Sequence, residues 1–252
     1  MSNNGQKIAF ISGANRGLGL ETARELGLAG VKVVMGSRNP TAGDHAASEL
    51  RNQGIDAEAI KFDLVNKGDH GLLYEYLKTR YGRLDILVNN AAFTLEGNAS
   101  DLGPHNTVLT VGIEGLRETY DVNFFNVYDL TLTLLPLLRL SQAGRIVNVS
   151  SILGSLTLHA DPQSPLVSEY KSFAYGSSKT ALNAFTIYLA HALRDTPIKV
   201  NSAHPGWVKT DLGGSNATLE LSEGGKTSAA LALLDENGPT GKFMHFGETI
   251  PW

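Results

Sequence analysis

Ile8-Ala9-Phe10-Ile11 runs directly into Ser12-Gly13-Ala14-Asn15-Arg16-Gly17-Leu18-Gly19. Four apolar residues of strand type lead into a glycine-rich turn, and a helical pattern follows over Leu18 to Ala29. Val31-Lys32-Val33-Val34-Met35 then reads as a second strand. Two strands joined by a helix form a βαβ unit, so they lie parallel in one sheet. The alternation continues along the chain. Strands are expected at Ala57 to Phe62, Leu84 to Val88, Arg145 to Val149, Ile198 to Ser202 and, shortest, Lys242 to Met244. Helices are expected at Thr41 to Gln53, His70 to Tyr81 and Ala174 to Arg194. A long one runs from Gly112 to Leu140, with Pro136 near its end. The pattern predicts an α/β fold with a doubly wound, parallel, seven-stranded sheet and helices on both faces. No repeat, linker or low-complexity tract interrupts it, so residues 1–252 are expected to form one domain.

The chain of 252 residues is 42% hydrophobic and 18% charged, with a net charge of −4. A chain of this size buries a core without metals or cross-links. It has no cysteine, which excludes disulfides, thiolate zinc sites and a cysteine nucleophile. No basic stripe suits a nucleic-acid backbone. No apolar run reaches the roughly 18 residues of a membrane span, and the leucine-rich stretch from Asp129 to Leu140 reads as a buried helix. The first residues lack a secretory signal pattern, so a cytoplasmic location is expected. The glycosylation-type matches at Asn98, Asn148 and Asn216 are then coincidental.

In a parallel sheet of this kind, ligands bind beyond the carboxyl ends of the strands. The chemistry-bearing residues fall at those places. After the first strand, Gly13, Asn15, Arg16, Gly17, Leu18 and Gly19 form a turn that lets a pyrophosphate approach backbone N–H groups at a helix start. The second strand ends in Gly36-Ser37-Arg38-Asn39, without the carboxylate that would bind the ribose diol of NAD. Arg38, with Arg16 as a second cation, suits the 2′-phosphate of NADP. After the third strand, Asp63-Leu64 offers either an acceptor for an adenine amino group or a helix cap. After the fourth, the amides of Asn89-Asn90, followed by Ala91, can bridge strand ends and line the cleft. After the sixth, Pro205-Gly206 turns the chain, and Thr210 with the Val208 backbone can hold a carboxamide.

The fifth strand is followed by Ser150-Ser151. Tyr175 and Lys179 stand four apart on the next helix, hence on one face. An ammonium beside a phenol favours the phenolate, which makes the tyrosine a usable acid or base. Ser151 can hold a carbonyl oxygen and stabilise its developing charge. The Tyr-x-x-x-Lys spacing alone decides nothing, since Tyr74 and Lys78 share it in a helix that reads as structural.

Taken in order, the glycine turn, Asp63, Asn89-Asn90-Ala91, Asn123, Ser151, Tyr175, Lys179 and Pro205-Gly206 resemble the short-chain dehydrogenase/reductase family, over nearly the whole chain. The resemblance implies a single-domain Rossmann fold and a catalytic tetrad of Asn123, Ser151, Tyr175 and Lys179. Tyr175 is then the acid/base, Lys179 grips the nicotinamide ribose, and Asn123 holds a water in a proton relay. Within the family, Asp121-Val122-Asn123-Phe124-Phe125, Gly144 to Ile152, Pro205 to Asp211 and the closing Trp252 are similar to carbonyl reductases, which reduce ketones, aldehydes and quinones with NADP(H). The sequence departs from the family at Ser12, where Thr is usual, at Ala92, where Gly is usual, and at Asn126, where Gly is common. Ser151 and Tyr175 are also 24 positions apart, a wider gap than usual. The added segment, Gly154 to Phe173, contains Leu156, Leu158, His159, Pro162, Pro165 and Tyr170. Both its ends are at candidate catalytic residues, so it is expected to line or cover the substrate site. Longer insertions at this place cover the helix face used for dimerisation in monomeric carbonyl reductases. That leaves monomer, homodimer and homotetramer open.

Phe93, Leu153, Leu156, His159, Trp207 and the segment after Leu212 are expected to shape an apolar pocket for a small hydrophobic carbonyl substrate. Two other readings remain: a dehydrogenase that oxidises secondary alcohols, and a non-catalytic NADP-binding sensor or scaffold. Retention of Ser151, Tyr175 and Lys179 argues against the second. No Gly-x-Ser-x-Gly elbow supports a hydrolase, and no His-x-x-x-His spacing supports a metal site.

Overall fold

The computed structural model describes residues 5–95, 107–164, 166 and 172–252. Pro165 and Tyr170 of the added segment, and Asn98, lie outside them. The strands are β1 (Ile8–Ile11), β2 (Lys32–Ser37), β3 (Ala57–Lys61), β4 (Ile86–Asn89), β5 (Arg145–Val149), β6 (Lys199–Ala203), β7 (Phe243–His245) and β8 (Glu248–Thr249). They form one sheet in the order β3-β2-β1-β4-β5-β6-β7-β8. The chain builds outward from β1 to β3, returns, and starts again at β4 on the other side of β1. The place where strand order reverses therefore lies between β1 and β4, beside the glycine turn.

The first seven strands pair in parallel, as the alternating pattern implies. The expected count of seven needs correction. An eighth strand, β8, pairs antiparallel with β7 across the turn Phe246-Gly247. Both turn residues have positive φ, 44° and 87°, the geometry that joins tight hairpins. A strand of two exposed residues carries no hydrophobic pattern from which it could be read.

Alternation in the strands divides the core into two layers. Ile8 and Phe10 of β1 face a cluster built with Leu73, Leu130 and Leu182. Ala9 and Ile11 face the opposite cluster, with Leu26, Leu50 and Leu231. The first cluster belongs to α3 (Lys67–Tyr81), α5 (Asn126–Leu138) and α7 (Phe173–Ala192). The second belongs to α1 (Gly17–Leu28), α2 (Pro40–Asn52) and α9 (Lys226–Ala232). Two short helices, α6 (Leu156–Ala160) and α8 (Leu221–Gly224), lie between longer elements.

The helix expected over Gly112 to Leu140 is divided. Helix α4 (Ile113–Tyr120) passes into a π-helical turn at Asp121–Phe125, and α5 follows. The Asn126 side chain donates to Asp121 O at 2.8 Å, which fastens the wide turn. One extra residue per turn rotates the following face and buries Asn123 completely. No helix among the described residues is long and apolar enough to cross a membrane.

Candidate active site

The strand ends on either side of the switch point are tied together by side chains. Ser12 Oγ accepts from both Asn90 N and Ala91 N at 3.0 Å. Asn90 Nδ2 donates to Ser12 O at 2.9 Å and Gly13 O at 3.1 Å. Asn89 turns the other way, donating to Thr131 Oγ1 and to Asn148 Oδ1 inside the core. The two adjacent amides thus divide the work, with Asn90 at the cleft and Asn89 beneath it.

Helix α1 starts at Gly17 with Arg16 as its cap residue, and the Arg16 side chain makes no capping hydrogen bond. Gly13 and Gly17 have φ of 65° and 56°, open to glycine at little cost. A Cβ on Gly19 would lie 2.6 Å from Asn90 Nδ2 and 2.9 Å from Ala14 Cα, so no side chain fits there. The turn is a cradle of backbone that leads into the N–H groups of a helix start, which fits a pyrophosphate. Ser37 closes β2, its hydroxyl donating to Asn39 O. Arg38 is exposed just beyond. Arg16 is also exposed, and its guanidinium pairs with Asp211 at 2.6 Å, a partner that the reading of Arg16 as a second phosphate ligand did not anticipate.

Asp63 is not a helix cap. It accepts from Val65 N at 3.2 Å, while Asn66 caps α3 by accepting from Gly68 N. Leu64 is buried, and its carbonyl is bound by His70.

The four candidate catalytic residues come from three places that tertiary contacts assemble. Lys179 is buried, donates from Nζ to Val149 O at 2.9 Å, and lies 5.4 Å from the centroid of the Tyr175 ring. Burial pushes its ammonium down to about 8. Asn123 accepts from Phe93 N and donates to Phe93 O, both at 2.8 Å, and also donates to Ser178 Oγ at 3.0 Å. Its amide therefore joins the loop after β4 to the helix that carries Tyr175 and Lys179. Ser151 leads a single 3-10 turn, Ile152–Gly154, and accepts from Leu153 N. Its neighbour Ser150 is sealed in the sheet, with Oγ buried and without a partner among the described residues.

Two glycines allow the Ser151 turn to press against α7. A Cβ on Gly154 would sit 2.8 Å from the Lys179 backbone, and one on Gly176 would sit 2.9 Å from Leu153 O. Thr180 adds a hydrogen bond to Gly154 O at 3.1 Å. Sequence reasoning passed over Gly154, Gly176, Ser178 and Thr180. The visible signal was Gly176, a poor helix former placed inside a helix.

The expected pocket residues stand on the segments that follow β4, β5 and β6. Asn123 holds the Phe93 backbone, and Leu153 follows Ser151 by two residues. His159 folds back, its Nε2 bonded to Leu153 O at 3.0 Å. Trp207 stands half-exposed, its indole N–H donating to Gly213 O. Thr210 Oγ1 is engaged in its own turn, accepting from Gly213 N and donating to Val208 O. Gly206, at φ 90°, is walled by Leu219 and by His245, whose Cε1 a Cβ there would meet at 3.1 Å. Pro251 and Trp252 return to this region, their carbonyls accepting from Ser155 Oγ and Thr157 N.

Comparison with known proteins agrees with this geometry. The family model for short chain dehydrogenase matches residues 7–220. The chain belongs to the short-chain dehydrogenase family. It is 30% identical to Carbonyl reductase [NADPH] 1 of Homo sapiens, over 98% of this chain and 99% of that protein. It is 30% identical to salutaridine reductase of Papaver bracteatum, over 96% and 95%. Among solved structures, carbonyl reductase Sniffer of D. melanogaster superposes with a TM-score of 0.80 at 28% identity, covering 98% of this chain and 99% of that one. The NADPH-bound carbonyl reductase from chicken fatty liver gives 0.81 at 25% identity, over 98% and 99%. The chain is thus an oxidoreductase of this family with an α/β fold of Rossmann type.

Proposed function

We propose that the protein is an NADPH-dependent carbonyl reductase acting on small hydrophobic ketones, aldehydes or quinones, with Asn123, Ser151, Tyr175 and Lys179 as its catalytic residues. The observation that carries this reading is the buried Lys179 ammonium set against the Tyr175 ring, on the helix to which the Ser151 turn is pressed. The glycine cradle would hold the pyrophosphate, and Arg38 with Arg16 the 2′-phosphate. Ser37, Asp63, Leu64, Asn90 and Ala91 would border the adenosine half, and Pro205, Gly206, Val208 and Thr210 the nicotinamide half. When bound, the dinucleotide supplies a hydride to the carbonyl carbon.

The chain's own groups handle the oxygen. Ser151 Oγ–H donates to it and fixes its position. Tyr175 gives its phenolic proton to the oxygen as negative charge develops there. With its pKa near 8, Lys179 is mainly protonated at neutral pH, so its charge stabilises the phenolate left behind. Asn123 holds Phe93 and Ser178 in place around this pair. In reverse, the same tyrosine accepts the proton of a secondary alcohol.

The test is loss of reduced-nicotinamide absorbance with NADPH and with NADH, against aryl ketones, α-keto esters, aldehydes and quinones. Turnover that favours NADPH supports the reading. Tight NADPH binding with no turnover of any carbonyl would instead support a non-catalytic sensor.

A further inference from the structure

The ladder between β5 and β6 ends with Ser150 N donating to Ala203 O at 2.8 Å. Beyond that point the strands part, because Ser151 opens a 3-10 turn while the chain after β6 continues toward Pro205. The next inward N–H, that of Ile152, has lost its backbone acceptor. His204 supplies one, with Nδ1 3.3 Å from Ile152 N. A ring nitrogen that accepts must carry the lone pair, so the proton sits on Nε2.

We propose that His204 is a positioning residue for Ser151, its imidazole replacing the missing strand acceptor and fixing the turn that aims the serine hydroxyl. This rests on the reading of Ser151 as a catalytic residue. The backbone that carries the imidazole is itself anchored to β7. His204 N donates to Met244 O at 2.8 Å, and His204 O accepts from His245 Nδ1 at 2.9 Å. The rings of His204 and His245 lie 4.8 Å apart, and Phe243 packs 6.5 Å away. Burial, with the nearby His245, pushes His204 down to about 3, so the Nδ1 lone pair persists across the working pH range. The residue is thus neutral, enclosed and anchored by β7, which suits a spacer and not a proton carrier.

A merely structural histidine would lower stability without selecting a kinetic constant. The experiment therefore compares His204→Leu, which removes the acceptor, with His204→Asn, whose amide oxygen can reach the Nδ1 position. Hydrogen exchange at the Ile152 amide is read by NMR in protein without substrate or cofactor. It should rise at least about tenfold in His204→Leu and return to within about threefold of wild type in His204→Asn. The kinetics should follow, with kcat down about tenfold or more in His204→Leu, carbonyl KM and NADPH Kd within about twofold, and kcat largely restored by Asn. Unchanged Ile152 exchange in His204→Leu, or equal impairment of kcat by Leu and Asn, overturns the proposal. Lack of turnover by the wild type rejects the reductase reading instead, and the exchange measurement still decides whether His204 holds the turn.

Discussion

Lys179 Nζ lies 5.4 Å from the centroid of the Tyr175 ring while it donates to Val149 O at 2.9 Å. One charge thus connects the end of β5 to the candidate acid, from a position removed from water. Such a position has a stability cost that can be measured. Burial lowers the Lys179 pKa from 10.5 to about 8.

The sign follows from proton counts. Below pH 8 both folded and unfolded chains carry the charge, and the folded state bears the full burial penalty. Between about pH 8 and 10.5 the unfolded chain binds the proton and the folded chain has released it, so stability rises with pH through this window. Urea unfolding of wild type and Lys179→Met at about pH 7 and about pH 10 should show the wild type gaining on the variant by roughly 2–3 kcal/mol. A pH-independent difference would mean that Lys179 does not titrate as a buried group.

Cofactor choice should respond to the two arginines differently. Arg38→Asp is expected to lower kcat/KM for NADPH about 100-fold, the scale of a lost charge-assisted contact, and to raise that for NADH. Arg16 is shared with Asp211, and both side chains are largely exposed, so their pair contributes about 0–1 kcal/mol. Asp211→Asn should therefore leave the melting temperature nearly unchanged and tighten NADPH binding a few-fold by releasing Arg16. Arg16→Ala should weaken it. Calorimetric titration of the cofactor distinguishes the two directions.

The polar row beneath the cleft should act on stability alone. Asn89, Asn148 and Ser202 are partners in register across β4, β5 and β6. Asn148 accepts from Asn89 and donates to Thr186 Oγ1 at 2.8 Å, and Thr186 meets Ser202 Oγ at 2.8 Å. All four are buried. Asn148→Ala leaves buried groups short of partners and opens a small void, a loss of about 2–4 kcal/mol. Denaturant midpoints should show it, with NADPH affinity of the folded fraction unchanged.

Features carried by neighbouring residues were legible in the sequence. The buried strand Ile8–Ile11, the glycine turn after it and the four-residue spacing of Tyr175 and Lys179 all lie within short windows. What escaped depends on contacts between distant segments or on backbone register. The π turn at Asp121–Phe125 inserts one residue into a hydrophobic pattern that remains continuous, so the sequence shows one helix. Asp211 reaches Arg16 from 195 residues away, and His204 meets Ile152 across the splay of two strands. His159 is a candidate pocket residue in the sequence, which does not show that its ring nitrogen bonds the Leu153 carbonyl. The eighth strand follows from a turn in which Phe246 takes a positive φ, a conformation that its side chain does not announce.

The most direct measurement is a single-turnover reduction by Tyr175→Phe with bound NADPH and a carbonyl that the wild type reduces. Losing only the phenolic O–H, the variant should bind NADPH within about threefold of wild type and transfer hydride at least about 100-fold more slowly, the scale of general acid catalysis. Hydride transfer at the wild-type rate would contradict the assignment of Tyr175 as the proton donor.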